Sequence, residues 1–244
     1  MRVAVISDVH ANAHALDAVL AAIEGDAVDA IWNLGDTVGY GPCPNEAAAV
    51  VRERASLSLV GNHDLVALGT SDVRIEEFNP DAAAAARWTQ DALDAATTEF
   101  LGRLRPEGEA AGAELYHASP FDPVWGYVLT DEAAYLSLEL TQAPLVLVGH
   151  THVALRAQRT DEGVVLELAP DGTQVDLDDG RWLLNPGSVG QPRDADPRAA
   201  YLLLDLDAGR ADFRRVEYPV ERTQTEIRER GLPAPLADRL AHGV

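Results

Sequence analysis

Five stretches of this chain end an apolar run and then present a side chain able to hold a metal ion. They are Asp8-Val9-His10, Gly35-Asp36, Gly61-Asn62-His63-Asp64, Tyr116-His117 and Gly149-His150-Thr151-His152, and they contain five of the seven histidines. Asp36 follows the run Ile31-Trp32-Asn33-Leu34-Gly35, so its carboxylate is expected at the exit of a buried strand, where ligands bind in open α/β sheets. We expect Asp36 to bridge two ions. Residues i and i+2 of an extended segment face the same way, so Asp8 and His10 can meet one ion. His150 and His152 can do the same unless the chain turns between them. The candidate ligands are Asp8, His10, Asp36, Asn62, His117, His150 and His152. Such a mixed nitrogen and oxygen set suits manganese, iron, zinc, cobalt or nickel, and it is too rich in imidazole for calcium. Two divalent cations against two carboxylates leave about two positive charges, one of which a bridging hydroxide would remove. The remainder would attract and polarise a phosphate, which is the two-metal hydrolytic arrangement.

The elements that must position these residues follow from hydropathy. Val3 to Ile6, Ala30 to Leu34 and Leu57 to Val60 read as strands buried on both faces. Between the first two, Ala13, Leu16, Val19, Leu20 and Ile23 recur at helical spacing behind Asn12, a good N-cap, so the unit is βαβ with a parallel pair. His14, on that helix, has no motif neighbour and reads as a surface residue. Pro44 opens a second helix through Arg54. Asn79 to Leu104 is expected to form one or two helices, with 79–105 a helical insert placed to cover the site. After His152, Val164 to Leu168, Thr173 to Leu177, Trp182 to Leu184, Ala200 to Asp205 and Ala211 to Tyr218 read as short strands. Asp-Gly and Asn-Pro-Gly turns separate them, which predicts a meander. Two helices close the chain, near Thr223 to Arg230 and Leu236 to Ala241. No linker-like composition divides the halves, so residues 1–244 are expected to form one domain in which two sheets pack together.

Composition narrows the chemistry. A hydrophobic fraction of 47% over 244 residues builds a real core. The formal charge of −21, from 40 acidic and 19 basic residues, opposes contact with extended nucleic acid. Positive charge for a small phosphorylated substrate must then be local. The single cysteine, Cys43, the absence of a secretory h-region and the lack of a membrane-length apolar run predict a cytoplasmic protein without membrane contact. A homo-oligomer is compatible with all of this. Arg193 and Arg198 read as exposed arginines of a Gly/Pro-rich stretch. Asn185 and Ser188 are accounted for by the Asn-Pro-Gly turn, and Cys43 by packing.

The order Asp8-x-His10, Gly35-Asp36-x-x-Gly39, Gly61-Asn62-His63-Asp64, His117 and Gly149-His150-x-His152 resembles the calcineurin-like metallophosphoesterases over nearly the whole chain. Gly39-Tyr40-Gly41-Pro42 and Asn185 through Arg193 resemble the smaller bacterial and archaeal branch. The resemblance implies a four-layer α-β-β-α sandwich, of α/β class, in which two mixed sheets are flanked by helices. It implies two divalent ions, manganese first among iron, zinc, nickel and cobalt. Asp8, His10 and His152 would hold one, Asn62, His117 and His150 the other, and Asp36 both. Where the family has Gly-His, this chain has Tyr116-His117, which keeps the ligand atom. His63 is the implied contact to the scissile phosphate or acid for the leaving group, with Asp64 orienting or charging it. The implied function is hydrolysis of phosphate diesters or monoesters of a small, nucleotide-like substrate. The alternatives are a metal-binding scaffold of the same fold and a nuclease of the same superfamily.

Overall fold

A computed structural model describes residues 1–70 and 74–244. The first strand, β1 (Arg2–Ile6), shows why an unbroken apolar run is needed. Val3 and Val5 enter the core between two sheets, while Ala4 and Ile6 meet helices on the other face. Helix α1 (Ala13–Asp26) starts where the Asn12 side chain accepts from the Ala15 N–H at 3.2 Å. Strand β2 (Ala30–Asn33), helix α2 (Pro44–Arg54) and strand β3 (Leu57–Ser58) follow, and β1, β2 and β3 run parallel. The expected third strand reached Val60. Regular pairing stops at Ser58 because the Val60 N–H turns to the Arg105 carbonyl, 3.0 Å away.

Helix α3 (Asn62–Ala67) and a single 3₁₀ turn (Ile75–Glu77) lead to α4 (Pro80–Ala92) and α5 (Ala95–Leu101). The break between α4 and α5 has a local cause: Leu93 is extended and Asp94 caps the next helix by accepting from the Thr97 N–H at 2.7 Å. Ala82 and Ala85 of α4 pack against Ile227, Leu236 and Leu240, so this segment joins the C-terminal helices. Glu77, Phe78 and Asn79, just before α4, reach the site.

The remaining elements are β4 (Glu107–Ala110), β5 (Ala113–Tyr116), α6 (Asp131–Leu140), β6 (Leu145–Leu147), β7 (Ala154–Thr160), β8 (Gly163–Leu168), β9 (Gln174–Asp176), β10 (Arg181–Pro186), β11 (Ala199–Asp205), β12 (Arg210–Val216), α7 (Val220–Glu229) and α8 (Ala234–Asp238). The strands after His152 do not form a meander. The sheets are ordered β3-β2-β1-β11-β12-β9 and β4-β5-β6-β10-β7-β8, so the late strands alternate between them. Strand β10 inserts between β6, to which it is parallel, and β7, to which it is antiparallel. A local turn signal does not say which sheet the next strand joins. Three elements carry weak sequence signals: the β4 edge, the Ala-, Arg- and Gln-containing β7, which is held by partners on both sides, and α6, marked chiefly by its Thr130 cap.

The architecture is therefore four layers. Val3, Val5, Trp32, Leu115, Leu147, Leu184, Leu202 and Phe213 meet between the sheets. Leu16, Val19 and Val51 of α1 and α2 cover the outside of the first sheet, and Ala134 and Leu138 of α6 cover the second. The parallel strands β1, β2 and β3 and the parallel strands β5, β6 and β10 end at one common edge, where the loops bearing the candidate ligands lie.

Candidate metal centre

The loops at this edge do not stay extended. Of ten non-glycine residues with positive φ among those described, seven are here: Asp8, His10, Ala11, Asp36, Tyr40, His150 and His152. Each left-handed residue costs on the order of 1–3 kcal/mol, so the strain is concentrated where function is built. Hydrogen bonds between loops hold it: Asp8 N–H to Gly35 O at 3.0 Å, His10 N–H to Asp36 O at 2.9 Å and Gly190 N–H to Asp8 O at 3.0 Å. Asn185, fully buried, donates from Nδ2 to Gly149 O at 2.7 Å and Thr151 Oγ1 at 3.0 Å, clamping the His150–His152 turn. Ser188 Oγ donates to Asp8 O at 2.8 Å. Both residues thus set the loops rather than merely make a turn. Gly61 has an ordinary φ of −105°, yet a Cβ there would fall 2.6 Å from His117 Cε1 and against the Asp36 carboxylate.

The candidate ligands converge into two groups. Asp8, His10 and His152 form one and Asp36, His117 and His150 the other, with the ligand atoms of each within 4.8 Å of one another. His150 and His152 go to different groups, because both adopt left-handed conformations (φ 63° and 60°) and the i, i+2 geometry of an extended chain is lost. Asp36 Oδ2 lies 3.7 Å from His10 Nε2 and 3.5 Å from His117 Nε2, so it faces both groups. Asn62 Oδ1 is 3.2 Å from His117 Nε2.

Three imidazoles spend Nδ1 on backbone carbonyls: His10 on Val38 O at 3.1 Å, His117 on Leu34 O at 2.9 Å and His152 on Gln191 O at 2.6 Å. Carbonyl acceptors fix the Nδ1–H tautomer, so each Nε2 carries a lone pair. His10 Nε2 and His152 Nε2 then face each other at 3.0 Å with no proton between them, and Asn62 Oδ1 faces His117 Nε2 in the same way. Asp8 Oδ1, Asp36 Oδ2 and His150 Nε2 are buried without any hydrogen-bond partner. Clustered acceptors with no donor are unfavourable unless cations sit among them, so the donor set fits metal ions.

Titration behaviour agrees with that fit. Burial pulls His10 and His63 well below the usual imidazole range and His150 to about 3, leaving neutral lone pairs at neutral pH. Burial would raise Asp8, but His152, His117 and the Ser7 hydroxyl outweigh it and its carboxyl is lowered. Burial, then Asp64 and Asp8, push Asp36 well above the carboxylate range.

His63 is buried on the wall of the cleft, between the rings of Tyr40 (4.3 Å) and Phe78 (4.7 Å), with Nδ1 unpartnered. Asp64 does not orient or charge it. Its carboxylate accepts from Val38 N–H at 2.9 Å and Gly61 N–H at 3.0 Å, since consecutive residues of a helix point apart. Asp64 therefore ties two ligand loops together. Arg193 corrects another expectation, because it faces the cleft, whereas Arg198 is paired with Asp196 and Asp171 away from it. His14 is half-buried against Glu226 at 2.8 Å rather than free on the surface. The Cys43 thiol, near the same Glu226, is pushed up to about 12 by burial, which keeps it in the protonated form. Tyr40, from the Gly39-Tyr40-Gly41-Pro42 motif, also lines the cleft, as do Phe78, Trp125, Tyr127 and Arg239, which had no motif to mark them.

A phosphoesterase fold with this ligand arrangement defines the class: the chain belongs to the calcineurin-like phosphoesterase superfamily, whose domain model matches residues 1–209. An uncharacterized protein of Methanocaldococcus jannaschii is 36% identical over 246 residues, covering 99% of this chain and 98% of that protein. The crystal structure of a metallophosphoesterase from Sphaerobacter thermophilus is 42% identical with a TM-score of 0.91, over 100% of this chain and 99% of that one. A hypothetical protein of Pyrococcus horikoshii, at 20% identity and a TM-score of 0.81 over 100% and 98% of the two chains, shares the fold. No helix among the described residues is long and apolar enough to cross a membrane.

Proposed function

We propose that this chain is a cytoplasmic, metal-dependent phosphoesterase that hydrolyses mono- or diesters of a small, nucleotide-like substrate at a dinuclear centre. The observation that carries the reading is the set of buried acceptor atoms, Asp8 Oδ1, Asp36 Oδ2, His150 Nε2 and the facing His10 and His152 Nε2 atoms, with no donor among them. Asp8, His10 and His152 would hold one divalent ion, and Asn62, His117 and His150 the other, with Asp36 shared. Manganese is the first choice, ahead of iron, zinc, nickel and cobalt. Ions bound there would polarise the phosphoryl oxygens and lower the pKa of a water.

The chain's own groups supply the rest. His63, held neutral by burial, is suited to donating a hydrogen bond to a phosphoryl oxygen rather than to arriving as imidazolium. The cleft, of about 170 Å³, is smaller than the ~300–1,000 Å³ that buries a drug-sized ligand. It suits the phosphate part of a substrate and leaves the organic part at the aromatic rim of Phe78, Trp125 and Tyr127. The charge of −21 disfavours the nuclease alternative.

The test is metal analysis of the purified protein together with hydrolysis of p-nitrophenyl phosphate and bis-p-nitrophenyl phosphate. Two ions per chain and hydrolysis that chelation abolishes and metal restores would support the proposal. Two bound ions with no hydrolysis of any phosphate ester in a broad panel would favour a scaffold instead.

A further inference from the structure

All 19 basic residues of this chain are arginines, and they face 40 carboxylates. Among the described residues, ten of them lie within ion-pair distance of an Asp or Glu. Arg193 and Arg239 are not among the ten, although they stand side by side on the cleft wall with Asp36, His63 and His152. A single neutral acceptor holds both: Gln191 Oε1 accepts from Arg193 Nη2 at 2.9 Å and from Arg239 Nη1 at 3.2 Å, and Gln191 is itself 2% exposed. Tyr40 OH is 3.4 Å from Arg193 Nη2, and its ring lies 5.7 Å from that guanidinium and 4.8 Å from the His10 ring. Arg193 Nε is buried without a partner, and Arg239 Nε donates to the Val244 backbone oxygen. The acidic groups facing the pair are few. Glu77 on the rim is engaged by Arg74 at 3.7 Å, and Asp81 acts on Arg239 from beyond ion-pair distance.

Two guanidinium groups pinned together by one amide oxygen repel each other, and planar forks of this kind match oxyanions. We propose that Arg193 and Arg239, with the Tyr40 hydroxyl, form a second anion subsite that grips a phosphate group of the substrate other than the scissile one. The proposal deepens the phosphoesterase reading and rests on it: the substrate class is a phosphate compound bearing two phosphate groups, such as a nucleoside diphosphate or bisphosphate. Arg239 lies beyond residue 209, where the superfamily match ends, whereas Tyr40 and Arg193 lie within it, so the subsite joins the matched domain to the C-terminal segment.

Two measurements test it. In the first, inorganic phosphate and pyrophosphate are titrated calorimetrically into metal-free protein, wild type and Arg239→Gln, with Arg193→Gln as the second variant. Thermal melts confirm that each variant is folded. Wild type should prefer pyrophosphate, and either substitution should lower pyrophosphate affinity about ten-fold or more, as expected for losing a charge-assisted contact, while phosphate affinity moves less. In the second, the metal-loaded enzyme is assayed on a nucleoside monophosphate and on the corresponding diphosphate. Arg239→Gln should raise KM for the diphosphate about ten-fold with a smaller change in kcat. Equal pyrophosphate affinity in wild type and both variants would overturn the subsite even if the enzyme hydrolyses monophosphates. Absence of all hydrolysis with arginine-dependent pyrophosphate binding would overturn the phosphoesterase reading and leave the subsite standing.

Discussion

Replacing Asp36 by Asn separates the two ion groups. Asp36 Oδ1 accepts from the His63 N–H at 2.8 Å, a bond that an amide oxygen can keep, so the loop should retain its shape. Oδ2 faces His10 at 3.7 Å and His117 at 3.5 Å, and there the anionic ligand is lost. The group of Asp36, His117 and His150 contains no other carboxylate, whereas the group of Asp8, His10 and His152 keeps Asp8. Metal content should therefore fall from about two ions per chain to about one, because ligand charge sets affinity. At free metal one hundred times Kd, each site adds about 2.7 kcal/mol. For a chain of this size 1 kcal/mol shifts Tm by about 2–4 °C, so the lost site removes roughly 5–11 °C of the metal-induced rise. The metal-free variant moves the other way. Burial, Asp64 and Asp8 raise the Asp36 pKa, so its ionised form destabilises the fold as pH climbs above the unfolded carboxylate value. Asp36→Asn should then melt above metal-free wild type, by a margin that grows with pH. Elemental analysis and scanning calorimetry with and without manganese measure both effects. Two ions retained with a wild-type metal shift, or a metal-free variant that melts lower than wild type, would refute the reasoning.

Gly61→Ala should lose metal and activity together although its φ suits alanine, since the new Cβ meets the Asp36 carboxylate and lies 2.6 Å from His117 Cε1; a variant with full metal content would show that the loops give way instead. His63→Ala should lower kcat about 10²–10³-fold with both ions still bound, and an unchanged rate at full metal content would remove His63 from the reaction. Stability of the metal-free protein should fall as pH drops from about 6.5 toward 3. Burial lowers His150 to about 3 and also lowers His10, His63, His117 and His152, so the unfolded chain binds protons that the folded one refuses. Each such histidine contributes about 1.4 kcal/mol per pH unit within its window. Asp64, raised to about 6 by burial, and Asp36, raised well above the carboxylate range, work in the opposite direction above 3.8 but are two groups against five. Urea melts at pH 7.5, 6 and 5 measure the slope, and a flat profile would contradict the assigned burial.

What the amino-acid order determined by itself was local. The apolar runs of β1, β2 and β6 and the Asn12 cap of α1 were legible, because burial leaves a period and a helix start needs an acceptor. The same runs, each ending before an Asp, Asn or His, marked the ligand loops. Tertiary structure decided the rest. Sheet membership of β7 to β12 depends on partners distant in the chain, and β10 pairs with both β6 and β7. The partition of His150 and His152 between groups follows from left-handed backbone, which residue spacing does not report. Asp64 turned to two backbone N–H groups rather than to its neighbour, and Arg193 met Arg239 through Gln191 across 46 residues of chain. Spacing along the chain encodes which side chains are buried and in what period. Which atoms converge is settled by backbone handedness and by the crossings of two sheets.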